Sequence, residues 1–247
     1  MDTISEALDR KRKELASNTA LKKVLEKEKN NDFYYTCYEN PKEKPFMMVL
    51  QNPGFDKPEN ETDPQPFKNW IMGKQKKCFS KIISLLRKYY PIEKAKYMKY
   101  NILVDNYIKY NEYVENDFFT DFYVTDLIKI RGSTRYADII YKYEKDFFNS
   151  ILEKEIFEVK PKILFTFSSR TWDFLRSKYE INPIKKIENF KQSSITDIHG
   201  HLFSIKLDRT QSYLIPLAFP SGGQTHYLRN SYFDYLEEGL KNISFSK

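Results

Sequence analysis

Four short apolar runs constrain this chain most: Phe46–Leu50, Phe122–Ile130, Ile163–Phe167 and Tyr213–Phe219. The first is wholly apolar, and all four are short, bounded by turn-forming or polar residues and rich in β-branched and aromatic side chains. Such runs predict strands buried on both faces. Between and after them lie segments with apolar residues at helical spacing, over 67–90, 136–159, 171–179 and 226–242. Buried strands alternating with helices predict right-handed crossover units and a parallel sheet covered on both sides. The expected fold is α/β, a three-layer α/β/α sandwich with a central, mainly parallel four-stranded sheet. A further strand is expected at Leu202–Leu207, and residues 91–117 carry no decisive pattern.

The N-terminal part reads differently. Ile4, Leu8, Leu15, Leu21, Val24 and Leu25 stand among dense alternating charge, which predicts amphipathic helices broken near Ser17-Asn18-Thr19. The expected organisation is a helical arm over 1–40 and one α/β/α domain over 41–247. The 41 Lys and Arg against 34 Asp and Glu leave a net charge of +7, a tilt towards an anionic partner. The 19 Tyr and 19 Phe rise together with Lys, Ile and Asn, as AT-rich coding would make them, and are not read as a nucleic-acid signal. Two cysteines, Cys37 and Cys78, exclude a disulfide framework and a four-cysteine zinc or iron–sulfur site. The N-terminus has no apolar signal-peptide region, and the longest uncharged stretch, from Thr210 to Leu228, holds two prolines and two glycines. A soluble cytoplasmic protein is expected.

In such a sheet, ligands bind beyond the carboxyl ends of the strands. Three strand ends carry unusual residues: Gln51-Asn52-Pro53-Gly54, Thr125-Asp126 with Lys129 and Arg131, and Pro220-Ser221-Gly222-Gly223-Gln224. An Asn before Pro is held extended, which aims its amide out of the strand end. Taken alone, the tetrapeptide also reads as a simple turn.

In order and spacing over about residues 46–242, these motifs resemble the uracil-DNA glycosylase superfamily. Leu50-Gln51-Asn52-Pro53-Gly54 falls on its first motif, a strand followed by Gly-x-Asn-Pro-Gly or a close relative. Pro66-Phe67 resembles its base-stacking aromatic, with Phe55 and Trp70 as rivals. Thr125-Asp126-Leu127-Ile128-Lys129-Ile130-Arg131 falls on a T-N-x-x-K-x-R pattern, and Pro161-Lys162-Ile163-Leu164-Phe165 resembles the third strand. Phe219-Pro220-Ser221-Gly222-Gly223, then Arg229, falls on the last motif, usually His-Pro-Ser.

The resemblance implies an enzyme that flips a nucleotide out of DNA and hydrolyses its N-glycosidic bond without metal or cofactor. It makes Asn52 the residue that positions water, by orientation rather than proton abstraction. Gln51, Pro53, Gly54, Phe55 and Phe67 would surround the base. Ser221, Gly222, Gly223, Gln224 and His226 would press on DNA, with Lys129, Arg131 and Arg229 on phosphates.

Two departures bear on the substrate. Asp126 stands where the superfamily usually has Asn. A carboxylate accepts well from the N4 amino group of cytosine and repels O4 of uracil, and it suits a cytosine protonated at N3. The expected target is a modified cytosine, such as a hydroxymethylated or sugar-bearing base of phage DNA. Asp126 equally suits a turn cap or an ion pair with Lys129 or Arg131. Phe219 replaces the usual His, and His199, His201 and His226 are the residues that can take its place in space. The alternatives are a uracil-excising repair enzyme, a non-catalytic DNA-binding module of the same fold, and an unrelated α/β enzyme acting on free nucleosides.

Overall fold

The computed structural model describes residues 3–19, 40–51, 64–102, 107–129, 134–208, 210–219 and 231–243. Its centre is a six-stranded sheet of β1 (Phe46–Leu50), β2 (Phe122–Asp126), β3 (Ile163–Thr166), β4 (Ile181–Pro183), β5 (Phe203–Leu207) and β6 (Thr210–Pro216). The order across the sheet is β2-β1-β3-β6-β5-β4. The first four in that order run parallel, and β5 and β4 add an antiparallel edge. The expected α/β/α sandwich is therefore present, but its sheet has six strands rather than four. β5 folds back on β6 across a tight link in which Asp208 takes a φ of +48°, the left-handed region such links require. β4 is three residues long and ends in Pro183, too short for a periodicity to register.

Side-chain alternation divides the strands between two cores. Phe46, Met48, Leu50, Phe122, Val124, Ile163, Phe165 and Ile215 face one apolar cluster. It is closed by α2 (Gln65–Met72), α3 (Lys76–Tyr89), α4 (Tyr107–Asn116), the short α5 (Phe118–Asp121) and α8 (Tyr232–Lys241). Met47, Val49, Tyr123, Leu164 and Leu214 face the other cluster, with α6 (Thr134–Val159) and α7 (Ser169–Lys178).

The helical segment expected over 67–90 is two helices. Gly73 ends α2, its N–H bonded to the Asn69 carbonyl, and a Cβ there would lie 2.8 Å from that oxygen. α1 (Ile4–Ser17) opens on a capping box between Thr3 and Glu6. Its stripe of Ile4, Ala7, Leu8 and Leu15 is buried in the second cluster, and Lys11 pairs with Glu144 of α6 at 3.0 Å. Among the described residues, no helix is long and apolar enough to cross a membrane.

Candidate functional site

The chain goes from β1 to β2 on one side and then returns past β1 to β3 on the other. In open α/β sheets such a reversal marks the carboxyl ends of β1 and its neighbours as the place where ligands bind. There β2 ends on Asp126, whose partner on β1 is Leu50, and Gln51 follows Leu50.

Asp126 is completely buried, and among the described residues neither carboxyl oxygen has a hydrogen-bond partner. Strand alternation turns its side chain to the same face as Phe122 and Val124, the face covered by aromatic rings. Burial without a partner disfavours the charged form. Desolvation raises the carboxyl from 3.8 to about 7, against the field of Lys129 and with that of Glu155. The ion pair with Lys129 that the sequence also suggested is not formed, and Arg131, the other partner it suggested, lies outside the described residues.

Lys129 itself is a correction to the sequence reading. Its ammonium is fully buried on the opposite side of the sheet, 2.6 Å from Glu155 Oε2 and 2.5 Å from the carbonyl of Asp126, and it also donates to the Thr125 hydroxyl. Glu155 further accepts from Tyr123 Oη at 2.8 Å and Thr125 Oγ1 at 2.9 Å. With its three N–H donors spent on these partners, Lys129 has none to offer a phosphate. It fixes the end of β2 from behind, and with it the backbone that carries Asp126.

Phe67 is also corrected. It is fully buried and ringed by Trp70, Phe79, Phe118 and Phe119, so neither face is open to a base. Its rival Trp70 is only partly buried and stacks on Phe219 with centroids 5.7 Å apart and planes 18° off parallel. Phe219 thus puts an aromatic wall where the resemblance leads one to expect an imidazole. Gln51 is half-buried; its side-chain Nε2 donates to Asp138 at 3.2 Å and its backbone carbonyl accepts from the Ile128 N–H at 2.8 Å. Asn52, Pro53, Gly54, Phe55, Arg131, Ser221, Gly222, Gly223, Gln224, His226 and Arg229 lie outside the described residues.

Arg170 was not singled out by the sequence. It stands in the first turn of α7, directly after β3, partly exposed, with its guanidinium held by Asp138 at 2.8 Å and lying over the Tyr141 ring. Only the return of the chain past β1 brings it beside Gln51, and no local motif marks it.

Of the two histidines among the described residues, neither refills the position of Phe219. His199 is buried, its Nδ1 accepting from the Ala218 N–H and its Nε2 donating to the Tyr232 carbonyl, each at 2.9 Å. Tyr232 Oη in turn donates to the Ala218 carbonyl at 2.9 Å. The ring therefore staples the two ends of the segment between β6 and α8 and has no nitrogen left for a ligand. Gly200 permits this: it has φ +75°, and a Cβ on it would lie 2.6 Å from the Leu236 nitrogen. His201 stacks instead on Tyr235, in a separate cavity of about 210 Å³ with Ile184, Lys185 and Glu238.

Burial lowers His199 from 6.5 to about 4. The folded form binds its proton more weakly than the unfolded chain does, so stability is lost as pH falls from about 6.5 towards 4. The expected difference between wild type and His199→Gln over that window is up to about 3 kcal/mol. Urea unfolding of both proteins at pH 7 and pH 4.5 measures it, and parallel losses would remove His199 as the cause.

Among the described residues, no group of three or more His, Cys, Asp or Glu is placed to hold a metal ion. Neither a scan against protein-family models nor a search of curated proteins finds a match to this chain.

Proposed function

We propose that the protein is a DNA glycosylase of the uracil-DNA glycosylase superfamily, which flips out a modified cytosine and hydrolyses its N-glycosidic bond. The observation that carries this reading is Asp126, a fully buried carboxyl without a hydrogen-bond partner at the carboxyl end of β2, beside the switch-point strand β1. A buried polar group left unpaired in the free protein is costly, and a ligand that pairs with it recovers that cost. The amino edge of a cytosine supplies such a partner.

The aromatic floor supports the same reading. Asp126 on β2 and Phe219 after β6 are three strand spacings apart, about 14 Å, and would flank a base bound between them. Of the described candidates, Trp70 takes the place of Phe67 as the proposed stacking aromatic. Asn52 remains the proposed water-positioning residue. Arg170 joins Arg131 and Arg229 as a proposed phosphate contact, replacing Lys129.

A second reading, a DNA-binding module without chemistry, is favoured by the occupation of both His199 nitrogens and by the Trp70–Phe219 stack in place of a histidine. An abasic-site assay separates the two. Matched duplexes carrying uracil, hypoxanthine, hydroxymethylcytosine or glucosylated hydroxymethylcytosine are treated with protein and then alkali. Strand cleavage at a cytosine-derived base, lost in Asn52→Ala, is the expected result. Binding to all duplexes with no alkali-labile site would select the non-catalytic module, and cleavage confined to uracil would select a repair enzyme.

A further inference from the structure

We propose that Asp126 is the acid of the reaction: it enters as an uncharged carboxyl group and gives its proton to ring nitrogen N3 of the cytosine-type base. This rests on the glycosylase reading above and names the source of leaving-group activation that the histidine-less last motif lacks.

The placement of the carboxyl carries the argument. It has no exposed surface and no hydrogen-bond partner. The face it points to is built from apolar residues, with Leu50 on the neighbouring strand and Phe122 and Val124 on its own. The charges that reach it are Lys129 and Glu155, and these neutralise each other across 2.6 Å on the opposite side of the sheet. The helices packed over the aromatic face bring Cys78, Tyr110 and Tyr113, all raised by burial and uncharged at neutral pH. Asp121 lies at the other end of β2, bound by the N–H groups of Lys96 and Tyr97 and by Tyr113 Oη. Among the described residues no unpaired cation therefore stands beside Asp126, and with its carboxyl raised to about 7 a large share of the protein carries the proton at neutral pH.

An uncharged carboxyl and a cytosine edge are complementary. The carbonyl oxygen accepts from the N4 amino group while the O–H donates to N3. Moving that proton along the hydrogen bond to N3 makes the base a cation and Asp126 a carboxylate. The C1′–N1 bond then breaks with its electron pair going to N1, so the base departs neutral with hydrogen on N3. Water bonds to C1′ and releases a proton to solvent, and the carboxylate takes one back, so one water is consumed per base released. Uracil has no basic ring nitrogen at that position and receives only hydrogen bonds. Phe219 and Trp70 need contribute no charge.

The test is single-turnover release of base from a duplex with one glucosylated hydroxymethylcytosine, from pH 5.5 to 9. A matched duplex has C–H in place of N3, and both are run with wild type and Asp126→Asn. Asn keeps one donor and one acceptor but has no proton to transfer. We expect the wild-type rate to be level in acid and to fall about tenfold per pH unit above the pH at which Asp126 ionises. Asp126→Asn should bind the parent duplex within about threefold of wild type and release base at least 100-fold more slowly. The C–H analogue should be bound and left intact, a result that depends on no variant folding.

A rate that is flat or rising from pH 7 to 9, an analogue cut as fast as its parent, or a folded Asp126→Asn within tenfold of wild type overturns the acid role and leaves the glycosylase reading standing. No base released from any duplex at any pH overturns that reading, and the acid role with it.

Discussion

Replacing Lys129 by Ala should lower the melting temperature by roughly 10 °C. The substitution leaves Glu155, itself without exposed surface, as a buried anion held only by the hydroxyls of Tyr123 and Thr125. Removing one member of a buried ion pair typically costs about 3–5 kcal/mol, most of it the uncompensated charge. The paired change Lys129→Met with Glu155→Gln should recover most of the loss, because Gln keeps an acceptor for both hydroxyls and removes the charge. Calorimetry on the two variants measures this directly. A phosphate-contacting lysine behaves in the opposite way, with DNA affinity falling at unchanged melting temperature, and that outcome would remove Lys129 from the core.

The second large effect concerns Asp126. A carboxyl raised from 3.8 to about 7 binds its proton more tightly in the folded protein than in the unfolded chain. Between these values the unfolded state holds fewer protons, so this group's contribution is intact below pH 4 and is lost as pH rises through 7. The difference corresponds to about 4 kcal/mol at full ionisation. Asp126→Asn has no such titration. Its amide has its own desolvation cost, but that cost is the same at every pH. Relative to wild type, the variant should therefore gain several degrees in melting temperature between pH 4.5 and pH 8.5. Equal shifts at both values would show that the carboxyl has a solvated or paired environment. His199 acts with the opposite sign over nearly the same range, so between about pH 4 and 6.5 the two contributions largely cancel in the wild type, and each shows only when the other group is replaced.

The parallel core was legible because its strands are apolar on both faces, and a run such as Phe46–Leu50 has few other ways to fold. The added edge was less so. β5 was expected at Leu202–Leu207 and runs over Phe203–Leu207, but β4 is three residues long and carries too little pattern to register. The break at Gly73 was hidden because one glycine inside a helical pattern is usually tolerated; here a backbone approach to Asn69 decides it. Asp126 stood out in sequence as an acid inside an apolar run. Lys129 was misread because its partner Glu155 lies 26 positions on, on a helix that only the fold brings behind β2. For Phe67, sequence shows an aromatic before a helix but not the four rings around it. The role of His199 is just as hidden, since it joins Ala218 to Tyr232, neither of them near it in the chain.

The most direct test of the central proposal is to look for the released base itself. Purified protein is incubated with a duplex bearing one glucosylated hydroxymethylcytosine, and the small-molecule fraction is read by mass spectrometry. The account predicts the intact free base, one per alkali-labile site formed, and none from Asn52→Ala. Tight, salt-dependent binding of the same duplex with no free base, under conditions where the protein is folded, would contradict it.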